Sequence, residues 1–192
     1  GTVTHIGIDG ARSVRRINAN LWRAVCVDHI GRLWLGTYGM GLLCCETDRL
    51  ALFREDHGLP AGKVRCVERD GERTLWAGTS GGLARQNENA FETMDGSDRL
   101  LPFDITSLAK DREGRLWVGT RSGRLYVGNG GSFTPCPEVP QALTLPISAL
   151  VVDPQGRVWF SSSHRDVLGY FLNAHEPVLV TDARHPVHIV GM

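Results

Sequence analysis

Residues 28–37 read Asp-His-Ile-Gly-Arg-Leu-Trp-Leu-Gly-Thr, and this segment returns three more times along the 192-residue chain with small changes. The tryptophans of the four copies, Trp34, Trp76, Trp117 and Trp159, follow one another at intervals of 42, 41 and 42 residues. In every copy an aspartate stands six residues before the tryptophan. A fixed period of about 40–45 residues with strand-like content is typical of four-stranded units repeated around an axis.

Alignment on the tryptophans also predicts a strand before each segment, here named strand a. The position ten residues before the tryptophan is small in every copy: Ala24, Cys66, Ser107 and Ala149. Small residues at alternate positions fit the crowded innermost strand of a radial array. The tryptophan segment is strand b, and two further apolar stretches before the next repeat are strands c and d. We therefore predict an all-β fold, a β-propeller with four complete four-stranded antiparallel blades and partial blades at both ends.

The repeat places the whole chain, residues 1–192, in a single propeller segment. Thr4–Ile8 and Ser13–Ile17 are predicted as outer strands of the first partial blade, and Val187–Val190 as the next strand a. The predicted boundaries are a partial blade at 1–21, blades at 22–63, 64–104, 105–146 and 147–186, and the start of another blade at 187–192. Because an arc exposes the faces of its terminal blades, we expect a larger parent propeller and self-association through those faces.

Composition excludes several classes of protein. Lys+Arg and Asp+Glu number 21 each, so no global charge favours nucleic acid. No apolar run approaches the roughly 18 residues of a membrane-spanning helix. The five cysteines are odd in number and contain no Cys-x-x-Cys pair, which argues against both a disulfide framework and a zinc site.

The aspartate of each repeat is predicted to open a tight turn by accepting hydrogen bonds from backbone amides two residues on. In three copies a glycine three residues before the tryptophan supplies a positive φ. In the second copy the glycine is displaced to Gly71, so that turn is expected to differ in shape. The arginines after the glycine, Arg32, Arg115 and Arg157, are expected to pair with a neighbouring turn or to cover a tryptophan face.

Other motifs predict no metal, cofactor or catalytic residue. The aspartate turns have too few carboxylates for a calcium loop. The glycines at 36, 39 and 41 precede a strand rather than the helix that a phosphate site needs. His185 and His188 point to opposite faces of an extended segment, which does not suit metal ligation.

Alternating strand directions place the b–c turns and the d–a linkers on one rim of the propeller, a common recognition face. The candidate ligand-binding residues on this rim are Arg23, Tyr38, Lys63, Arg65, Arg121, His164 and Arg165, set against Asp104 and Asp166. This positive excess predicts an anionic ligand such as an acidic or sulfated sugar, held by arginine and stacked on Tyr38 or Trp22. Loss of Arg65 and Arg121 together is expected to abolish such binding. The alternative is a solvated rim without a ligand.

The pattern Asp-x-x-Gly-Arg-Leu-Trp-x-Gly-Thr, followed by a glycine-rich turn, and the linker at 56–60 (Asp-His-Gly-Leu-Pro), resemble the two-component regulator propeller repeat over residues 22–170. The fourth copy departs from it, with Ser161 and Ser162 in place of Gly-Thr. The resemblance implies the periplasmic sensor region of a bacterial receptor, upstream of a membrane span and a histidine kinase or diguanylate cyclase. It implies a non-enzymatic module that binds extracellular ligands, often polysaccharide fragments, and acts on the rest of the receptor.

Two other functions remain open on the same fold. Residues 153–161 also resemble blades of the virginiamycin B lyases, which are metal-assisted enzymes. Such a site needs histidine and glutamate together on the rim, and here His164 stands without a glutamate beside it. The third candidate is a protein-interaction scaffold that uses the same rim.

Overall fold

The chain forms a row of small antiparallel sheets, as seen in a computed structural model that describes residues 2–6, 12–16, 22–46, 49–94, 103–136, 146–162, 167–171 and 177–181. Four of the sheets have four strands each, in which every strand pairs with the next strand along the chain, and a fifth sheet has two strands. The prediction of an all-β propeller with four-stranded blades is confirmed.

The strands have the following bounds. A two-stranded sheet contains β1 (Thr2–Ile6) and β2 (Arg12–Arg16). Blade 1 contains β3 (Trp22–Val27), β4 (Leu33–Thr37), β5 (Leu42–Cys45) and β6 (Leu50–Phe53). Blade 2 contains β7 (Val64–Arg69), β8 (Leu75–Thr79), β9 (Gly82–Asn87) and β10 (Ala90–Thr93). Blade 3 contains β11 (Ile105–Lys110), β12 (Leu116–Thr120), β13 (Leu125–Asn129) and β14 (Ser132–Pro135). Blade 4 contains β15 (Ala149–Val152), β16 (Val158–Ser162), β17 (Val167–Phe171) and β18 (Pro177–Thr181).

Two features differ from the expected elements. The first two strands begin and end one or two residues earlier than predicted, and the linker after blade 1 contains a single 3₁₀ turn at Glu55–His57. The predicted strand Val187–Val190 lies outside the described residues. No helix among the described residues is long and apolar enough to span a lipid bilayer.

Neighbouring blades are joined by their tryptophans. Alternate residues of each strand point to opposite faces of the blade. The face that contacts the following blade is here called the trailing face, and the face that contacts the preceding blade is called the leading face. Trp34 is buried against Val67 and Phe91 on the leading face of blade 2. Trp76 and Trp117 are buried in the same way against blades 3 and 4. The core of the molecule is therefore the set of clusters between consecutive blades.

The innermost strands approach closely because strand b has a glycine two residues after its tryptophan. Gly78 pairs with Cys66 on its own blade and faces Ile105 of the next blade. A Cβ at this position would lie 2.4 Å from Cys66 Sγ and 2.6 Å from Ile105 Cγ2. Gly36 and Gly119 have the same surroundings in their blades. The small residues at alternate positions thus serve close approach between blades, as the sequence predicted.

The aspartate turns do more than the sequence indicates. In blade 1, Oδ1 of Asp28 accepts hydrogen bonds from the backbone N–H of Ile30 at 3.1 Å and of Arg32 at 2.9 Å. Oδ2 accepts from Nε1 of Trp34 at 2.9 Å and from Nε of Arg32 at 2.6 Å. The indole–aspartate bond recurs in all four repeats and was not predicted. Each aspartate therefore fixes both its turn and the tryptophan of the interface.

The repeat arginines pair first inside their own turns, and the expected ion pair with a neighbouring turn is found for Arg32, whose Nη1 lies 3.6 Å from Oε1 of Glu46 in the c–d turn. Arg32, Arg115 and Arg157 each donate Nε to the aspartate four residues before them. The alternative expectation, cover of a tryptophan face, is met by two of them, because Arg32 lies 5.3 Å from the Trp34 ring centroid and Arg157 lies 5.2 Å from that of Trp159.

The hydrogen bonds also stabilise the ionised form of the aspartates. Burial disfavours the charge on Asp28, but the bonds from Trp34 and Arg32 outweigh it, and the pKa of Asp28 lies below its usual value. The pKa of Asp153 is lowered for the same reasons, by Trp159 and Arg157. A carboxylate with a lowered folded-state pKa stabilises the fold above its ordinary pKa, and this contribution is lost as the pH falls toward the folded-state value.

The turn of blade 2 keeps the shape of the others, so the expectation of a different turn is wrong. Arg73 takes the place of the missing glycine with φ of 70°, close to the 86° of Gly31. Its N–H donates to Asp70 O at 3.3 Å, as the N–H of Gly31 donates to Asp28 O at 3.2 Å. The displaced glycine, Gly71, is needed for a close backbone contact with the next blade. Its N–H donates to Gly114 O at 2.8 Å, and a Cβ at Gly71 would lie 2.6 Å from Gly114 Cα.

Replacement of Arg73 by glycine is therefore expected to raise the free energy of unfolding by about 1 kcal/mol, because an L-residue with positive φ costs about 1–2 kcal/mol. Urea denaturation measures the change. The matched control is Arg112→Gly in the turn of blade 3, where no positive φ is relieved and the added backbone freedom is expected to destabilise. Equal effects of the two substitutions would show that Arg73 is not strained.

Candidate functional site

The rim formed by the b–c turns and the d–a linkers is held together by backbone hydrogen bonds. Tyr38, in the b–c turn of blade 1, forms an isolated antiparallel bridge with Lys63, which directly precedes blade 2. The carbonyl of Gly62 accepts from the N–H groups of Gly39 and Gly41, at 3.1 and 2.8 Å. The b–c turn of blade 1 therefore lies beside the linker that enters blade 2, as the alternating strand directions predicted.

A bulge in strand a brings a further side chain to this rim. The register between strands a and b shifts by one residue at Arg23, at Arg65 and at Thr106. A bulge leaves one residue unpaired and redirects its side chain, and bulges are common beside binding sites. Three positions of the repeat thus meet at the rim: the bulge residue, the first residue after strand b, and the residue before the next strand a.

Between blades 1 and 2 these three positions hold Arg23, Tyr38 and Lys63. The guanidinium carbon of Arg23 lies 5.2 Å from the centroid of the Tyr38 ring, and Nζ of Lys63 lies 3.9 Å from it. Lys63, and to a lesser degree Arg65 and Arg23, lower the pKa of the Tyr38 phenol. Within the described part of the chain, neither Arg23 nor Lys63 has a carboxylate at ion-pair distance. We name Arg23, Tyr38 and Lys63 the Tyr38 site.

Between blades 2 and 3 the same positions hold Arg65, Ser80 and Asp104, and their charges cancel. Arg65 donates from Nε and Nη2 to the two carboxylate oxygens of Asp104, at 2.5 and 2.7 Å. This bidentate geometry is the strongest arrangement of an arginine and a carboxylate. The exposed Arg121 lies at the edge of the pair, with Nη1 3.7 Å from Asp104 Oδ2.

Between blades 3 and 4 the aligned positions hold Thr106, Arg121 and Pro146, where Pro146 precedes Ile147, the counterpart of Val64 in the repeat. Thr106 Oγ1 donates to Ile147 O at 2.6 Å, and its hydroxyl is therefore committed to the interface between the blades. Among the described residues, the positive charge of the rim thus has no carboxylate partner at the Tyr38 site, is paired with Asp104 at Arg65, and is present again at the exposed Arg121.

The structure brings some of the candidate residues together and leaves others apart. Arg23, Tyr38 and Lys63 form one cluster, and Arg65 and Arg121 form another around Asp104. His164 and Arg165, with Asp166, lie outside the described residues. Sequence reasoning placed Asp104 on the rim but missed its pairing with Arg65. Alignment of the repeats gives the signal, because Asp104 occupies the position that Lys63 occupies one blade earlier.

The described residues contain no group of three His, Cys, Asp or Glu side chains that could hold a metal ion. No disulfide joins the described cysteines. Burial raises the pKa of the Cys26 and Cys44 thiols to about 11 and that of Cys136 to about 12, which keeps these thiols protonated at neutral pH. These side chains therefore belong to the interior of the blades and not to the rim.

Solved structures with the same fold include the extracellular domain of a two component system, a lyase and a β-propeller domain. The extracellular domain of a hybrid two component system from B. thetaiotaomicron superposes with a TM-score of 0.67 and 21% identity, over 86% of this chain and 22% of that one. Virginiamycin B lyase from Staphylococcus aureus gives a TM-score of 0.63 and 13% identity, over 82% and 54%. The β-propeller domain of Myceliophteria thermophila Cps50 (Swd1) gives 0.64 and 13%, over 93% and 63%. The chain thus spans about half of the lyase and under a quarter of the extracellular domain of the two component system.

No curated protein matches the sequence significantly. The sequence model of the family described as two component regulator propeller matches residues 16–39 and residues 104–122. Both matches fall on the Asp-x-x-Gly-Arg-Leu-Trp-x-Gly-Thr segment and its surroundings, in blade 1 and in blade 3. Two segments of the chain, one in blade 1 and one in blade 3, are therefore similar to the two component regulator propeller family.

Proposed function

We propose that this chain is a non-enzymatic, ligand-sensing propeller module of a bacterial two-component-type receptor, located outside the cytoplasm. The family repeats support this role, as does the likeness to extracellular domains of hybrid two component systems from B. thetaiotaomicron. The observation that carries the proposed ligand chemistry is the Tyr38 site, where two cations flank one aromatic ring without a carboxylate partner among the described residues.

The ligand of the Tyr38 site is an extracellular anion, such as an acidic or sulfated oligosaccharide. Arg23 offers a planar pair of donors to a carboxylate or sulfate, whereas Lys63 offers a compact charge. The partly exposed Tyr38 ring contributes apolar surface beside them. Arg121 extends the positive surface along the rim, and His164 and Arg165 belong to the same proposed face. Arg65 is held by Asp104 and contributes mainly by shaping the rim.

The position of the Tyr38 site links binding to the geometry of the blades. Arg23 and Tyr38 belong to blade 1, and Lys63 belongs to the linker that enters blade 2. An anion that contacts all three binds best at one spacing of the two blades, and so favours that spacing in the population. The rest of the parent receptor would respond to this shift.

The binding test is titration calorimetry with an acidic oligosaccharide, such as oligogalacturonate or a heparin fragment, at low and high salt. The double substitution Arg23→Ala and Lys63→Ala is expected to weaken binding at least about tenfold, because charge-assisted hydrogen bonds contribute about 1.5–3 kcal/mol each. Added salt is expected to weaken binding to the unmodified chain.

The matched control removes two positive charges from the opposite rim, with Lys110→Ala and Arg112→Ala, which are exposed at the a–b turn of blade 3. This control is expected to leave binding nearly unchanged. The pair that the sequence indicated, Arg65→Ala and Arg121→Ala, is expected to have a smaller effect than the Tyr38-site pair. Equal losses in the two rims would mean that only net charge attracts the ligand, and the Tyr38 site would be rejected.

Two other functions use the same fold and have their own tests. The likeness to virginiamycin and streptogramin B lyases favours an antibiotic-opening enzyme. Mass spectrometry of a streptogramin B incubated with the chain and a divalent metal would detect ring opening, and turnover would replace the sensor proposal. A protein-interaction scaffold would instead bind a protein partner through the rim, and that binding would be lost in the Tyr38-site variant.

A further inference from the structure

The rim between blades 2 and 3 already holds a carboxylate, which the chain itself supplies. The two oxygens of Asp104 accept from Nε and Nη2 of Arg65, so the guanidinium and the carboxylate meet edge to edge. Nη1 of Arg121 lies 3.7 Å from the same carboxylate. The side chains of Arg65 and Asp104 are each only 21% exposed. This part of the rim is therefore a complete binding site for one planar carboxylate, contacted by two cations.

The Tyr38 site lies at the equivalent place one blade earlier. Arg23 and Arg65 are both the bulge residue at which the register between strands a and b shifts. Lys63 and Asp104 both directly precede the next strand a. The blades also approach alike, because in both interfaces the glycine of strand b faces the first residue of the next strand a. The two interfaces therefore share one backbone arrangement and differ in the side chains that it carries.

The carboxylate is what the two places do not share. At the position of Asp104 the earlier interface has Lys63, so a cation stands where the later interface has an anion. Arg23 and Lys63 lie 5.2 and 3.9 Å from the centroid of the Tyr38 ring. Two cations held at one ring repel each other, and an anion that contacts both removes this cost. The Tyr38 site thus has two cations, as Arg65 and Arg121 are two, without the carboxylate that those arginines share.

We propose that a carboxylate of the ligand takes, in the Tyr38 site, the place that the Asp104 carboxylate takes one blade later. The ligand class is then a uronate and not a sulfate ester. This inference rests on the proposed function and specifies its ligand. Arg23 presents the same straight edge of two N–H donors as Arg65, which matches two coplanar oxygens better than the tetrahedral oxygens of a sulfate. The Tyr38 ring, 42% exposed, offers apolar surface to the rest of the sugar.

Titration calorimetry with three oligosaccharides of equal length tests the ligand class. They are oligogalacturonate, its carboxyl-reduced neutral form, and a sulfated galactan oligosaccharide without carboxylates. Oligogalacturonate is expected to bind at least about tenfold more tightly than the sulfated galactan, and the neutral form more weakly still. Equal binding of the two anionic ligands would overturn the uronate assignment and leave the proposed anion sensor standing. Absence of binding by both would overturn the proposed function as well.

Arg23→Lys separates the planar donor edge of arginine from its charge. The variant keeps the positive charge, so its affinity for oligogalacturonate is expected to fall at least about tenfold, to the level of the sulfated galactan. The matched control is Arg112→Lys, the same exchange at an exposed arginine of the opposite rim, and it is expected to bind like the unmodified chain. Circular dichroism checks that both variants are folded. Unchanged binding by Arg23→Lys would overturn the proposal.

Lys63→Asp tests the proposal without any ligand, because it places an aspartate beside Arg23 as Asp104 lies beside Arg65. This variant is expected to melt about 2–4 °C above Lys63→Ala, since the new carboxylate pairs with Arg23. The gain is expected to vanish when Arg23→Ala is added and to shrink in high salt. Lys63→Asp is also expected to lose binding of oligogalacturonate. A variant no more stable than Lys63→Ala, or a gain that survives Arg23→Ala, would overturn the proposal.

Discussion

Replacement of Asp111 by alanine is expected to lower the free energy of unfolding by about 4 kcal/mol. The carboxylate is buried and accepts bonds from Trp117 Nε1 at 2.9 Å, from Arg115 Nε at 2.7 Å and from the Arg115 backbone N–H at 2.8 Å. Hydrogen bonds to a charged group contribute about 1.5–3 kcal/mol each, and they are not additive. The substitution also leaves the indole N–H of Trp117 buried without an acceptor, which costs about 1–3 kcal/mol. Denaturant unfolding followed by tryptophan fluorescence measures the loss.

The matched control is Asp153→Ala, which removes the same three bonds from blade 4 and one more, from the backbone N–H of Gln155 at 2.9 Å. The Asp153 side chain is 14% exposed, against 1% for Asp111, and Trp159 is itself partly exposed, so water can replace the lost partner. A clearly smaller loss is expected. If both substitutions cost the same, the destabilisation would come from the turn alone, and the buried indole bond would contribute nothing.

The fold could be predicted because the same local sequence pattern of aspartate, glycine and tryptophan recurs along the chain. The position of the tryptophan fixes the register of strands a and b, and the aspartate and glycine fix the turn between them. From these residues the strands of all four blades were placed within a few positions of where they lie. The turn of blade 2 was predicted wrongly because Gly71 was treated as a displaced turn residue. Gly71 instead makes a backbone contact with Gly114 in the next blade. This tertiary contact outweighs the preference of Arg73 for a negative φ.

The candidate site could be predicted only as a rim. Alternating strand directions are enough to place Tyr38 beside the linker that holds Lys63. The pairing of Arg65 with Asp104 joins residues 39 positions apart and depends on a bulge that no local pattern announces. The same holds for the indole–aspartate bond, because a spacing of six residues gives no sign that both side chains turn inward. The repeat therefore predicts where the charged residues of the rim lie. Which of these charges are paired, as Arg65 is with Asp104, is visible only in the tertiary structure.

A repeat array obtains its stability from the units and from the contacts between neighbouring units. In this chain the contacts between neighbouring blades depend on a close approach between the backbone of strand b and the innermost strand of the next blade. Only glycine in strand b leaves room for this approach. Gly119 lies against Ile147 at the entry to blade 4, whereas Ser161 stands at the equivalent position of blade 4 itself. The stability of the array should therefore respond to this position inside the arc and not at its end.

Exchange of Gly119 for serine is accordingly expected to lower the free energy of unfolding by about 3 kcal/mol. A Cβ at this position would lie 2.4 Å from Ser107 Oγ within blade 3 and 2.7 Å from Cγ2 of Ile147, which leads into blade 4. The contact with Ile147 would force blades 3 and 4 apart. Overpacking of a close interface costs typically 1–3 kcal/mol, and serine adds a hydroxyl that the interface must also accommodate. Thermal unfolding and urea denaturation both report the change.

The reciprocal substitution, Ser161→Gly, separates interface strain from the preference of the strand itself. Glycine within a strand costs roughly 0.5–1 kcal/mol through backbone entropy, so this variant is expected to change stability by no more than that at concentrations where the chain is monomeric. A large loss at Gly119 with a small change at Ser161 would show that the glycine serves the following blade. Similar losses at both positions would mean that the residue acts within its own sheet, and the account of blade contacts given above would then be wrong.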